Sequence, residues 1–222
     1  MAECLKLLYS MQEVGDNMAG IEIGIDDTEL EKVYQALKKY PKVAEKAIIR
    51  TKNDTAQRTL TPLKRLITSQ YSIKQKDLTG GTQYEGETSN NLLKVIKSNN
   101  INLDAGIRAR GSNLTLYRFV KGNKMPRNTK GKGYVTVQVK KGNTQKMSRY
   151  NFIQRVGKKK KTLQVVQRHS DSRKIRRLLK TTSIAHMVSN KNVAPKAMEQ
   201  AQEILKKRSQ HYIERELKKI KG

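Results

Sequence analysis

Tyr134-Val-Thr-Val-Gln-Val139 alternates valines with polar or aromatic residues at strict period two, the signature of a half-buried strand. Val135, Val137 and Val139 are expected to face a core, with Tyr134, Thr136 and Gln138 on the other side. Lys141-Gly142-Asn143 follows as a hairpin turn, and Thr162 to Gln167 reads as a further strand. Upstream, Leu93, Val95, Leu103, Ile107, Leu114, Leu116 and Phe119 sit in short β-rich runs broken by Asn and Gly. Residues 120–133 hold Gly122, Pro126, Gly131 and Gly133 and read as an exposed loop. This middle segment is expected to form an antiparallel sheet.

On both sides of it the period changes to 3.6. Thr28 and Glu31 have capping-box spacing, and Leu30, Val33, Tyr34 and Leu37 recur at helical intervals. Pro41 suits the first turn of a second helix. Val43, Ala44, Ala47, Ile48, Thr51 and Thr55 would line its inner face, while Lys42, Glu45, Lys46, Arg50 and Lys52 point away. Leu60, Leu63, Leu66 and Ile67 continue the stripe past Pro62, where a kink or break is expected, with Thr61 able to restart the helix. Ser72 to Gln75 offers a capped turn, and residues 80–91 a flexible loop. From Pro195, Ala197, Ala201, Ile204, Leu205, Tyr212, Ile213, Leu217 and Ile220 mark a long amphipathic helix with a Lys-rich end that suits its dipole. Ile21, Ile23 and Ile25 read as a short strand. Ile175, Leu178 and Leu179 suggest two helical turns.

The expected fold is therefore α+β: a central antiparallel sheet flanked by amphipathic N-terminal helices and a long C-terminal helix. An extension covers residues 1–20. A single domain covers 21–220, with a helical part at 28–79, a β-rich part at 92–167 and the last helix at 195–220.

Charge says most about partners. The 222-residue chain has a formal charge of +28. Between Ala105 and Met198 stand twenty-five Lys and Arg and one acid, Asp171, whereas the first thirty-one residues hold eight acids and one base, Lys6. Such a balance favours contact with a polyanion, either nucleic acid or an acidic protein. Apolar residues make up only 36% and Trp is absent, which suits either a protein that orders fully within an assembly or a soluble monomer with long arms. Cys4 is the only cysteine, so no disulfide framework is available. No apolar run approaches the ~18 residues a membrane span needs, and residues 1–11 lack the basic start of a signal peptide.

Catalytic constellations are not evident. Asp26 and Asp27 precede a helix start, where acids belong electrostatically. His169, His186 and His211 lack metal-ligand spacing, and Gly80-Gly81 lacks the ending of a phosphate loop. No enzyme, metal or cofactor is expected. The basic cluster is the candidate site: Arg155, Lys158, Lys159, Lys160, Lys161, Arg168, Arg173, Lys174, Arg176 and Arg177, with Lys180 beyond. Residues 158–161 would tip a hairpin, and residues 173–177 would form a second patch if helical. A solvated loop that keeps the chain soluble is the plainer account. Tyr150 and Phe152 are the nearest aromatics, so any nucleic-acid contact would be to the backbone and nonspecific.

The order of pieces resembles a known family. An amphipathic helix pair leads to Tyr71-Ser-Ile-Lys-Gln-Lys-Asp77. Leu114-Thr-Leu-Tyr-Arg-Phe119, a Val-x-Val strand with Lys-Lys-Gly142, and Tyr150-Asn-Phe-Ile153 follow. A basic strand, Ser183-Ile-Ala-His-Met187 and the terminal helix close the chain. Over about residues 21–220 this resembles the minor tail protein Z family of tailed bacteriophages, also called tail-completion or neck proteins. The resemblance implies a non-enzymatic virion structural protein, made in the host cytoplasm and built into the head–tail junction. It implies contacts with the tail terminator, tail tube and neck proteins, assembly as a homo-oligomeric ring, and basic loops facing DNA in the channel or acidic partners. The alternative drawn from charge is a nonspecific nucleic-acid-binding protein.

Overall fold

In the computed structural model the described residues are 12–14, 18–23, 28–80, 93–100, 103–109, 111, 113–122, 134–157, 162–168 and 175–221. The chain runs β1 (Gln12–Val14), β2 (Met18–Ile23), α1 (Thr28–Ala36), α2 (Pro41–Gln70), α3 (Lys76–Thr79), β3 (Leu93–Ile96) and β4 (Gly106–Ala109). A 3-10 helix (Leu116–Phe119) precedes β5 (Val120–Lys121), β6 (Thr136–Val137), β7 (Gln145–Lys146), β8 (Asn151–Val156), β9 (Thr162–Arg168) and β10 (Ile175–Leu178). Helices α4 (Ile184–Val188) and α5 (Ala194–Lys221) complete it. The fold is α+β, with every strand pairing antiparallel and a long C-terminal helix.

The strands form three small sheets, ordered β1-β2-β4-β3, β5-β6-β7 and β10-β9-β8, rather than one continuous central sheet. The 3-10 helix is one reason. A strand through Leu114–Phe119 would put Leu114 and Leu116 on one face. Instead Leu114 and Phe119 enter a core with Leu63, Ile67, Tyr71, Ile107, Ile184 and Met187. Leu116, Tyr117 and Val120 enter another with Val135, Val137, Ile153 and Val165. The tight turn distributes neighbouring apolar residues between two cores, which period two cannot do.

Helices α1, α2 and α5 pack together, and Leu30, Val33, Leu37, Ala44, Ala47, Ile48 and Leu205 form the core between them. The expected inner face of α2 is buried through Ala44, Ala47, Ile48, Thr51 and Thr55. Lys52, expected outside, is buried, and its Nζ lies 3.1 Å from Asp104 Oδ1. The β3–β4 connection covers it there: Asn53 Nδ2 donates to the Ser98 carbonyl (2.9 Å) and Ser98 N–H donates to Asn53 Oδ1 (2.7 Å).

Helix α2 runs unbroken through Pro62, so the expected break does not occur. Leu63 and Ile67, both fully buried just beyond it, hold the backbone helical against the cost of a missing N–H at the Arg58 carbonyl. Pro62→Ala restores that donor and is expected to stabilise the protein by about 1–3 kcal/mol, read as a higher urea midpoint.

Other expectations also change. Ser72 caps no helix: its N–H donates to the Val139 carbonyl (2.9 Å), and α3 starts at Lys76 without a side-chain cap. Residues 175–178 are strand β10, not helix, because Leu178 pairs with Val166 and Arg177 with Gln167 of β9. Their β-branched neighbour strand offers open backbone groups, a stronger claim on so short a segment than helical propensity. The boundary expected at residue 20 falls within β2, which pairs with β4. Leu103 is exposed outside any strand. Ile25, residues 81–91 of the expected loop and residues 123–133 lie outside the described residues.

Glu216 of α5 ties the helices together. Its Oε1 accepts from Lys219 Nζ (2.9 Å) and from Arg50 of α2 (3.2 Å). The hydrogen bond from Lys219 holds this carboxyl below the ordinary glutamate range; burial opposes, and the charges of Lys219, Arg50 and Arg215 assist. A lowered folded-state pKa contributes stability above the unfolded value of about 4.3, lost as pH falls through the folded value. Glu216→Gln is therefore expected to flatten the drop in melting temperature below about pH 4.3.

Candidate polyanion-binding surface

The folded chain segregates its charges. Acids in the helical layer are matched by bases nearby. Asp54 Oδ1 accepts from Arg58 (2.9 Å) and Asp54 Oδ2 from Arg208 of α5 (3.3 Å), while Glu29 pairs with Lys32 (2.6 Å). The sheets β5-β6-β7 and β10-β9-β8 come from the stretch whose one acid, Asp171, lies outside the described residues. From this stretch, Arg118 reaches back to Asp77 of α3, 3.3 Å away. The other bases of these sheets stand in an acid-poor surrounding, where phosphate would meet little repulsion.

Register places the expected site residues. Val156 pairs with Thr162 at one end of the β8–β9 ladder, and residues 158–161, the expected hairpin tip, lie outside the described residues. Residues 169–174 connect β9 to β10 and also lie outside them, which leaves Arg173 and Lys174 unplaced; Arg176 is placed only by its strand backbone. The two basic connections leave opposite ends of β9, about 20 Å apart at about 3.3 Å per residue.

Its described arginines also divide between faces. Arg155 pairs with Leu163 on the face that carries Ile153 and Val165 into the core. Arg177 lies on that same face, its Nε donating to Gln167 Oε1 (2.8 Å). Arg168 is on the opposite face, its guanidinium 4.3 Å from the Phe152 ring centroid. Arg149 likewise lies 4.9 Å from the Tyr150 ring. Both aromatics near the cluster are thus engaged by arginines of this chain. Burial raises the Tyr117 hydroxyl pKa and the charge of Arg155 opposes it, so Arg155 stands at the rim of the core beneath.

No family model, curated protein or solved structure matches the chain. Among the described residues no group of three or more His, Cys, Asp and Glu could hold a metal ion. No described helix is long and apolar enough to cross a membrane.

A second basic group was not singled out from sequence. Lys121 of β5, Thr136 of β6 and Lys146 of β7 stand in one cross-strand row. Tyr134 lies on the same side, 5.4 Å from Lys146 Nζ. The alternation identified the outward face at residues 134–137, whereas Gln138, expected outward, is buried and Val139, expected inward, is half-buried. Only the pairing of three two-residue strands brings Lys121 and Lys146, far apart in sequence, onto it.

Proposed function

We propose that this protein is a structural component of a tailed-bacteriophage virion, completing the tail at its junction with the head and acting through assembly without catalysis. One observation carries the reading beyond the order of sequence pieces: three of the segments that bear the family resemblance meet in one core. Tyr71 and Ile73, Leu114 and Phe119, and Ile184, Ala185 and Met187 pack together. Asp77, at the end of the first segment, forms its ion pair with Arg118 of the second. Tyr71 Oη accepts from Asn190 Nδ2 (2.8 Å), just past the third. Residues with those spacings serve one packed unit, as a shared fold requires.

In this reading the protein forms a ring that contacts tail terminator, tail tube and neck proteins. Its basic sheets meet DNA in the channel or an acidic partner surface. It is made in the host cytoplasm and resides in the virion. Deleting the gene from the phage that encodes it, followed by electron microscopy, tests this. Full heads with unjoined tails, or joined particles without infectivity, are expected. Normal infectious particles would overturn the reading.

The segregation of charge favours the second reading, a nonspecific nucleic-acid-binding protein. That reading requires the isolated monomer to bind duplex DNA, with log affinity falling steeply and linearly with log salt. The assembly reading expects weak binding by the monomer.

A further inference from the structure

We propose that the outward face of the β5-β6-β7 sheet, carrying Tyr134, Lys121 and Lys146, binds single-stranded nucleic acid. The inference is independent of the tail-completion reading. Val120, Val135 and Val137 turn into the core, 5%, 8% and 2% exposed, which leaves the opposite side of these strands outward. On that side Tyr134 is 56% exposed, the large aromatic surface that solvent contact disfavours and a base plane would cover. Lys121 and Lys146 are exposed in the same row, two strand spacings or about 10 Å apart. Thr136 lies between them with a hydroxyl. None of the described residues of this sheet is an acid. An aromatic platform beside a row of cations is an arrangement by which a sheet holds a single strand, with the ring taking a base and the ammonium groups taking neighbouring phosphates.

The platform is held in place. Met147 N–H donates to the Val135 carbonyl (2.9 Å), extending the ladder to the residue beside Tyr134. Gln138 N–H donates to the Phe119 carbonyl (2.8 Å), and Lys141 N–H donates to the Gln70 carbonyl at the end of α2 (2.8 Å). Gly142, at φ +84°, closes the hairpin in a left-handed conformation that suits glycine. The exposed ammonium groups of Lys140 and Lys141 extend the positive field at this turn. A fixed backbone lowers the ordering cost of binding. A duplex keeps its base faces stacked internally and would meet only the lysines, so the exposed tyrosine argues for an unpaired strand.

Fluorescence anisotropy of the full chain with a labelled single-stranded DNA oligonucleotide, and with the same sequence as a duplex, tests this. Tyr134→Ala is expected to weaken single-strand binding about ten-fold while changing duplex binding less than about two-fold. Tyr134→Phe, which keeps the ring, should retain single-strand affinity. Lys121→Gln with Lys146→Gln should reduce the single-strand salt slope by about 1.4, from about 0.7 per phosphate contact. These side chains are exposed, and circular dichroism verifies that each variant folds. Absence of single-strand binding, an unchanged affinity in Tyr134→Ala, or equal losses for single strand and duplex would each overturn the proposal. Such a result would leave the particle-assembly test of the tail reading unaffected.

Discussion

Asp77→Ala is expected to lower the unfolding free energy by about 3–5 kcal/mol, because it takes a carboxylate partner from a buried guanidinium. The Arg118 side chain is 7% exposed and that of Asp77 14%, and Arg118 NH1 lies 3.3 Å from Asp77 Oδ1. Neither charge reaches bulk water freely, so removing the carboxylate leaves the full desolvation cost of Arg118 with less to offset it. Replacing both partners by apolar residues, Asp77→Leu with Arg118→Met, is expected to recover most of the loss, since no charge then remains buried. Urea unfolding of the two variants, followed by circular dichroism, decides. A midpoint unchanged in Asp77→Ala, or a double variant as unstable as the single one, would show that the pair does not hold α3 to the 3-10 helix.

Phe119→Ala is expected to cost a similar amount, about 3–5 kcal/mol, by a different route. The ring is 2% exposed, in the core that also holds Leu63, Ile67, Tyr71 and Met187. Truncation loses its transfer free energy and leaves a cavity that α2 and α4 can only partly collapse. The backbone of Phe119 also accepts from Gln138 N–H, so the same residue anchors β6. Against a total stability of about 5–15 kcal/mol, the loss is a large share of what holds the fold. Its thermal melt measures this, and a melting temperature within about 3 °C of the unsubstituted protein would refute it.

Arg118 and Phe119 lie in a segment whose local pattern is misleading. Leu114-Thr-Leu-Tyr-Arg-Phe119 alternates as a strand would, yet its side chains divide between two cores through a 3-10 turn. Ile175–Leu178 misleads in the other direction, since apolar residues spaced for a helix pair as an edge strand with β9. Pro62 is a strong local stop signal that packing of Leu63 and Ile67 outweighs. In each case local preference amounts to about 1–3 kcal/mol, and burial of one or two large side chains is as large.

Patterns long enough to repeat themselves were legible. The helical stripes of α1, α2 and α5, the inward valines 135 and 137, the turn at Lys141-Gly142 and strand β9 all follow from periodicity, because several residues vote for one face. The excess of positive charge in the middle of the chain is a property of composition and needs no coordinates. Which cations share a surface is another matter. Arg155 and Arg168 lie thirteen positions apart on neighbouring strands, and register sends them to opposite faces. Lys121 and Lys146 are twenty-five positions apart and come into one row with Thr136 between them. Pairing register is set by long-range burial of the opposite face, and no local window of sequence contains that term.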